Sequence, residues 1–305
     1  MKKLLKIIGG LLALVVSIWL IIYLWPATKR PERAFYREDD PEVLVIAHRG
    51  GQGIAPEGTM SAFEKSYDLG VDVFEYDIHL TKDGHLVAIH DPVVNRTTDG
   101  VGCVNDLTLE EVQSLDAGYY FKDEEGEYSY RDQGVYIPTV EEIFQEFPTT
   151  RQLIEIKDTN RPELYEEAIQ KLWRLIQEYK IEENVMVGSF DHRINERFEE
   201  VTDGKIPIGA GEDAVRAFVT KHVPYLNGLA KSSVDSLQLP LEGEGYNLTT
   251  DNIIESAKKR NMSVYYWTIN DEETMRELIN KGVDGIISDY PDRVLRVIEE
   301  MENEK

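Results

Sequence analysis

Residues 73–90 read VFEYDIHLTKDGHLVAIH. Positions two apart on a strand share a face, so Glu75 and Asp77 in the first half of this stretch point the same way. Thr81-Lys82-Asp83-Gly84 is a tight-turn signal, and residues 86–90 form the strand that returns from it. Strands joined by so few residues pair antiparallel. The 86–90 segment is therefore a hairpin arm and not a member of a parallel series. It carries His90 back toward Glu75 and Asp77.

With that arm set aside, apolar runs and helical patterns alternate along the rest of the chain. Strands are expected at 43–47, 73–80, 152–157, 184–190, 206–211, 236–241, 263–269 and 285–288. Helices are expected at 59–69, 139–147, 162–179, 194–201, 213–222, 250–260, 272–281 and from about 291 to 302. Eight apolar strands, each followed by a helix, imply an α/β architecture, a parallel sheet closed into a (β/α)8 TIM barrel. An open doubly wound sheet is the alternative, but no Gly-rich nucleotide loop opens a helix. Residues 92–136, rich in Gly, Asp and Tyr with one helical piece at 108–115, form an insertion after the hairpin arm. The single cysteine, Cys103, excludes an internal disulfide and reads as a small half-buried residue.

In such barrels the chemistry lies at the strand C-termini. The polar residues there are His48, Glu75, Asp77, Glu155, Lys157, Ser189, Gln238, Trp267, Thr268 and Asp289. Glu155 and Lys157 repeat the spacing of Glu75 and Asp77 on the next barrel strand. Three carboxylates converging on one mouth repel and raise one another's pKa unless a cation sits among them. An all-oxygen set suits one hard divalent cation, Ca2+ or Mg2+, and the scarcity of clustered His and Cys argues against zinc. The competing reading pairs an acid only with Lys157 or Arg49. His48 and His90 are expected at the same mouth, where two imidazoles titrating near neutrality can divide proton removal and donation. Asp91 either orients an imidazole or caps a turn; His79, His85, His192 and His222 read as ordinary polar residues. Arg49 and Lys157 are candidate phosphate clamps. Trp267 either lines the substrate groove or packs in the core.

The formal net charge is −24. Residues 1–33 hold six Lys/Arg and one Glu, leaving 27 basic against 56 acidic residues in the remainder, a net of −29. A body so acidic is repelled by nucleic acid, which is excluded as a partner. Residues 7–25 carry no charge, a 19-residue run able to span a hydrocarbon core of roughly 30 Å. Lys2, Lys3 and Lys6 precede it, and Trp19, Tyr23 and Trp25 near its far end suit an interfacial belt. A cleaved signal peptide is the rival reading, but no small-x-small site follows. The expected organisation is a transmembrane anchor at 1–28, a polar linker at 29–42 and the barrel at 43–305. The expected location is the cell membrane, single-pass, with the barrel outside the cytoplasm.

These residues carry a resemblance. His48-Arg49-Gly50, Ala55-Pro56-Glu57, Thr59, Ala62-Phe63, Gly70-Val71-Asp72 and Glu75-Tyr76-Asp77 come first. Then follow Thr81-Lys82-Asp83-Gly84, His90-Asp91, Arg96-Thr97-Thr98, Gly100, Ile137-Pro138-Thr139 and Glu155-Ile156-Lys157. Ser189-Phe190, Trp267-Thr268-Ile269-Asn270, Gly282-Val283-Asp284-Gly285 and Asp289 complete it. In order and spacing the chain resembles the glycerophosphodiester phosphodiesterase (GDPD) family across residues 43–297. The resemblance implies a TIM barrel with an insertion after the His90 strand, metal ligation by Glu75, Asp77 and Glu155, acid–base roles for His48 and His90, and phosphate contacts from Arg49 and Lys157. One departure stands out: the family pattern Pro-Glu-Asn-Thr is Pro56-Glu57-Gly58-Thr59 here. The implied activity is metal-dependent hydrolysis of glycerophosphodiesters to glycerol 3-phosphate and an alcohol. The alternatives are a lysophospholipase D or phospholipase C-like enzyme on lipid or teichoic-acid-like substrates, and an inactive surface binding protein.

Overall fold

The computed structural model describes residues 2–304. Its first half comprises α1 (Lys2–Tyr23), β1 (Leu44–Ala47), α2 (Met60–Leu69), β2 (Val73–Leu80), β3 (Leu86–Ala88), α3 (Leu109–Gln113), α4 (Val140–Glu146) and β4 (Arg151–Ile156). There follow α5 (Tyr165–Tyr179), β5 (Val185–Gly188), α6 (His192–Val201), α7 (Glu212–His222), β6 (Ser236–Leu239), β7 (Glu242–Gly243) and β8 (Tyr246–Asn247). The chain ends with α8 (Asp251–Lys258), β9 (Ser263–Tyr266), α9 (Glu272–Asn280), β10 (Gly285–Ser288) and α10 (Pro291–Asn303).

Seven strands pair in parallel in the order β5-β4-β2-β1-β10-β9-β6, and β3 lies antiparallel on β2. The two edges, β5 and β6, are joined by residues 206–211. Ile208 bridges Val187 and Gly209 bridges Ser236, so the sheet closes. This eighth position was expected as a full strand and is held by two bridging residues only. Pro207 has no N–H for the ladder. A Cβ on Gly209 would stand 2.6 Å from Gln238 Nε2, so that amide would have to swing aside to admit a side chain. The β7–β8 hairpin was not foreseen; Glu244 (φ 50°) and Gly245 (φ 81°) form its two-residue turn.

The strands are buried on both faces, which is why they read as apolar runs. Leu44, Ile46, Val73, Leu153, Met186, Tyr265 and Ile287 fill the barrel interior together with Phe35. Val45, Phe74, Ile154 and Val187 face the helical ring. The inner column on β2 therefore runs Val73, Glu75, Asp77, and that on β4 runs Leu153, Glu155. The interior is apolar below and acidic at the mouth.

The helices present apolar stripes to the sheet; α5 buries Ala168, Ile169, Leu172, Leu175 and Ile176 at helical spacing. The insertion has a small core of its own, Val94, Val104, Val112 and Ala117, packed on Val87 and Ile89 of the hairpin arm. Its helix is α3, begun by a Thr108/Glu111 capping box. Cys103, expected to be half-buried, is exposed there. The stretch expected as a linker lies folded across the underside of the barrel, with Phe35 1% exposed.

Candidate active site

β2 and β4 pair in register with Asp77 beside Glu155. One oxygen from each of Glu75, Asp77 and Glu155 lies within 4.8 Å of the others. Glu75 and Asp77 are buried, 7% and 4% exposed. Burial and then the charge on Asp77 raise Glu75 to about 7 and Glu155 to about 8. Lys157 Nζ stands 3.3 Å from Asp77 Oδ1 and 3.0 Å from Glu155 Oε1. Its own pKa is raised, because these two acids outweigh burial. One lysine does not neutralise three carboxylates. Asp77 Oδ2 is buried with no hydrogen-bond partner; Arg49 Nε, 3.6 Å away, is equally unpartnered. Three carboxylates gathered this closely, two of them buried, fit a hard cation.

β1 ends in a tight turn in which Arg49, Gly50 and Gly51 all have positive φ (50°, 78° and 98°). A Cβ on Gly50 would meet the Phe63 ring at 2.9 Å, so glycine is required there. The turn aims the Arg49 N–H at Glu75 Oε2, 2.8 Å away. It brings His48 Nε2 to 4.0 Å from the same oxygen. His48 Nδ1 lies 2.6 Å from Asp289 Oδ1. Asp289 also accepts hydrogen bonds from Gln52 Nε2 (2.6 Å) and Asn270 Nδ2 (2.7 Å). Burial opposes the His48 imidazolium, but Asp289 and then Glu75 outweigh it, and the pKa is raised.

His90 is half-buried, and its Nδ1 stands 2.8 Å from Asp91 Oδ1. Asp91 orients the imidazole. It also accepts from Arg96 (2.7 and 3.2 Å), and these bonds hold it down at about 2 against burial. Burial lowers the His90 pKa. Arg96 donates to both oxygens of Glu57, at 2.6 and 2.8 Å, and Arg49 donates to Glu57 Oε1 at 3.0 Å. His90 is thus tied to Arg49 through Asp91, Arg96 and Glu57. Gly58, where the family pattern has Asn, adopts φ +64°, and a Cβ there would stand 2.8 Å from the Ala88 carbonyl oxygen. Glu57 keeps its place without a side chain at 58.

Trp267 follows β9 and packs edge-on against Phe190, with centroids 5.8 Å apart. Both line a cavity of about 320 Å³ that begins at Glu75 and Glu155 and extends past Val215, Val219, Tyr246 and Leu248. Of the residues given candidate roles, Glu75, Glu155 and Trp267 line this cavity, and His48, Arg49, Asp77, His90 and Lys157 surround the carboxylate cluster. Those that sequence reasoning gave no role are Gln52, Glu57, Arg96, Asn270 and Asp289. Asp289 was visible as a polar strand end; Arg96 and Glu57 meet across 39 residues, and no spacing rule announces that contact. His79, read as an ordinary polar residue, is buried, bonded to the Ile89 carbonyl (2.9 Å) and Thr159 (2.9 Å), and lowered to about 4 by burial.

The sequence matches the Glycerophosphoryl diester phosphodiesterase family over residues 48–293. The chain belongs to this family. A glycerophosphodiester phosphodiesterase of Caldanaerobacter subterraneus subsp. tengcongensis is 36% identical over 266 residues, 84% of this chain and 98% of that one. A lysophospholipase D of Rattus norvegicus is 27% identical, over 84% of this chain and 86% of its own. The structure of an Oleispira antarctica phosphodiesterase in complex with the product sn-glycerol-3-phosphate matches with a TM-score of 0.69. Its identity is 24%, over 88% of this chain and 100% of that one. The chain is accordingly a phosphoric diester hydrolase on a GDPD-type barrel, and the reading as an inactive binding protein is set aside.

Proposed function

We propose that this enzyme hydrolyses glycerophosphodiesters to glycerol 3-phosphate and an alcohol, with one Ca2+ or Mg2+ held by Glu75, Asp77 and Glu155. The observation that carries this reading is the cluster itself: one oxygen from each of three carboxylates lies within 4.8 Å of the others, and a single lysine sits between two of them. A bound cation would supply positive charge to the phosphoryl oxygens as charge builds in the transition state. Arg49 and Lys157 add their own charges to those oxygens. His48, whose imidazolium Asp289 supports, donates the proton to the leaving alcohol. His90, whose partner Asp91 is already shared with Arg96, accepts the proton from the attacking hydroxyl, either water or the neighbouring glycerol hydroxyl. Trp267 and Phe190 wall the substrate groove. The test is a panel of deacylated glycerophosphodiesters assayed after chelation, with Ca2+ or Mg2+ restored separately. Activity should vanish on chelation and return with one of them, and alanine at His48 or His90 should remove most turnover. Full activity in chelator, or in both alanine variants, would refute the assignment.

The apolar cavity favours a second substrate class, lysolipids processed as by a lysophospholipase D. Its walls suit an acyl chain, with the phosphodiester at Glu75 and Glu155. Narrowing it with Val215→Trp should depress turnover of lysolipids several-fold more than that of deacylated diesters. Equal loss on both would remove this reading.

For α1 we propose an uncleaved membrane anchor with the barrel outside the cytoplasm. An 18-residue window of this helix has a mean hydropathy of 2.5, and none of its residues is buried against the barrel.

A further inference from the structure

The segment after α1 is clamped to one end of the barrel. Arg30 N donates to the Arg260 carbonyl at 2.9 Å, and the Arg30 guanidinium pairs with Asp235 at 2.9 Å and with Glu199. Arg33 Nε donates to Asp235 Oδ1 at 2.8 Å, and Arg37 donates to Asn184 at 2.7 Å. Asn184, Asp235 and Arg260 lie just before β5, β6 and β9, at the strand starts. The chain therefore leaves α1 on the face opposite the catalytic mouth.

At that exit α1 touches residues 223–229. Trp19 Nε1 donates to the Pro224 carbonyl at 3.4 Å, Tyr23 packs edge-on against Tyr225 with centroids 6.1 Å apart, and Gly228 lies against the Ile22 carbonyl. The same loop exposes Val223 (44%), Tyr225 (49%) and Leu229 (53%) beside the exposed Trp25. The surrounding sequence is unusual for this chain. Residues 217–234 contain no Asp or Glu and carry Lys221 and Lys231, although 57 of the 305 residues are acidic.

We propose that the 223–229 loop, together with Trp19, Tyr23 and Trp25, is a membrane-docking surface whose partner is the headgroup region of a lipid bilayer. Exposed aliphatic and aromatic side chains contiguous with the end of a spanning helix, on a segment that carries two lysines and no acid of its own, match the chemistry of that zone. Elsewhere the acidic body repels an anionic leaflet. The barrel rests on the membrane by its underside, and the mouth opens into the aqueous phase. Substrate then arrives from solution, not by lateral diffusion in the leaflet beneath. This inference rests on the reading of α1 as a retained anchor.

The test uses the full chain carrying Cys103→Ser, reconstituted in vesicles of phosphatidylcholine and phosphatidylglycerol. A single cysteine is placed at Leu229→Cys or, as a second underside position, Val223→Cys; Glu125→Cys in the insertion reports the mouth side. Each is labelled with an environment-sensitive fluorophore, and hydrolysis of a soluble diester confirms folding. With headgroup-level nitroxide lipids, the probes at 229 and 223 should be quenched several-fold more than the probe at 125. Equal quenching at all three, or stronger quenching at 125, in protein that stays with carbonate-washed vesicles would overturn the docking surface alone. Release by the wash would overturn the anchor reading and the docking surface with it.

Discussion

Lys157 sits between two carboxylates and does not reach the third, Glu75, which has the His48 imidazole at 4.0 Å and the Arg49 N–H at 2.8 Å. In the metal-free protein Glu75 and Glu155 titrate at about 7 and 8, above the ordinary glutamate value near 4.5. The folded state therefore holds protons that the unfolded chain has released, and metal-free stability falls as pH rises from about 4.5 toward 8. A cation removes that penalty by replacing the protons. The melting-temperature gain on restoring Ca2+ or Mg2+ to chelated protein should thus be larger at pH 8 than at pH 6. A gain that stays constant or shrinks between those pH values would show that the cluster is not the cation site.

At the scale of elements, the β3 arm brings His90 to the mouth, and the 92–136 insertion fixes it there through Arg96. Arg96 is 46% exposed in its side chain, yet it bridges Glu57 and Asp91. Arg96→Ala should lower kcat by roughly 10- to 100-fold, the range typical of partners that orient a site residue. It also frees Asp91 to support the His90 imidazolium, so the acid limb of the pH–rate profile should move to higher pH. A purely structural role would leave that limb in place. The arm was legible from the 81–84 turn, and the barrel from the alternation of apolar runs with helical stripes, because burial on both faces leaves a strong pattern. The 206–211 position was legible as apolar and was read as a full strand although Pro207 already removes one N–H from the ladder; only the approach of Gly209 to Gln238 depends on a neighbouring strand. The Glu57–Arg96 and Asp289–Gln52 contacts were hidden for a similar reason. They join loops whose closeness exists only once the barrel has closed. At Gly58, the departure from the family pattern, the backbone turns left-handed against Ala88, and the loop holds Glu57 without a side chain there.

On the whole molecule, Asp235 links three parts that the sequence presents separately. Its side chain is 1% exposed; it pairs with Arg30 and Arg33 of the segment after α1 and accepts the Ile208 N–H (3.0 Å) at the position that closes the barrel. Burial works against its charge, yet the two guanidiniums and that N–H hold its pKa below the usual carboxylate value. Its contribution is present above the unfolded aspartate pKa and is lost as pH falls through the folded value, so it acts fully at neutral pH. Removing one partner of a buried charged cluster typically costs 3–5 kcal/mol, because the remaining charges stay buried without compensation. Asp235→Asn should therefore unfold in urea at a markedly lower midpoint than the parent at pH 7, by about 3 kcal/mol in free energy, and the difference should narrow at pH 3. Arg30→Ala combined with Arg33→Ala should cost less, because Asp235 keeps the Ile208 N–H and gains access to water where the arginines were. Equal midpoints for Asp235→Asn and the parent at pH 7 would mean that the segment after α1 and the barrel are not energetically joined at this carboxylate.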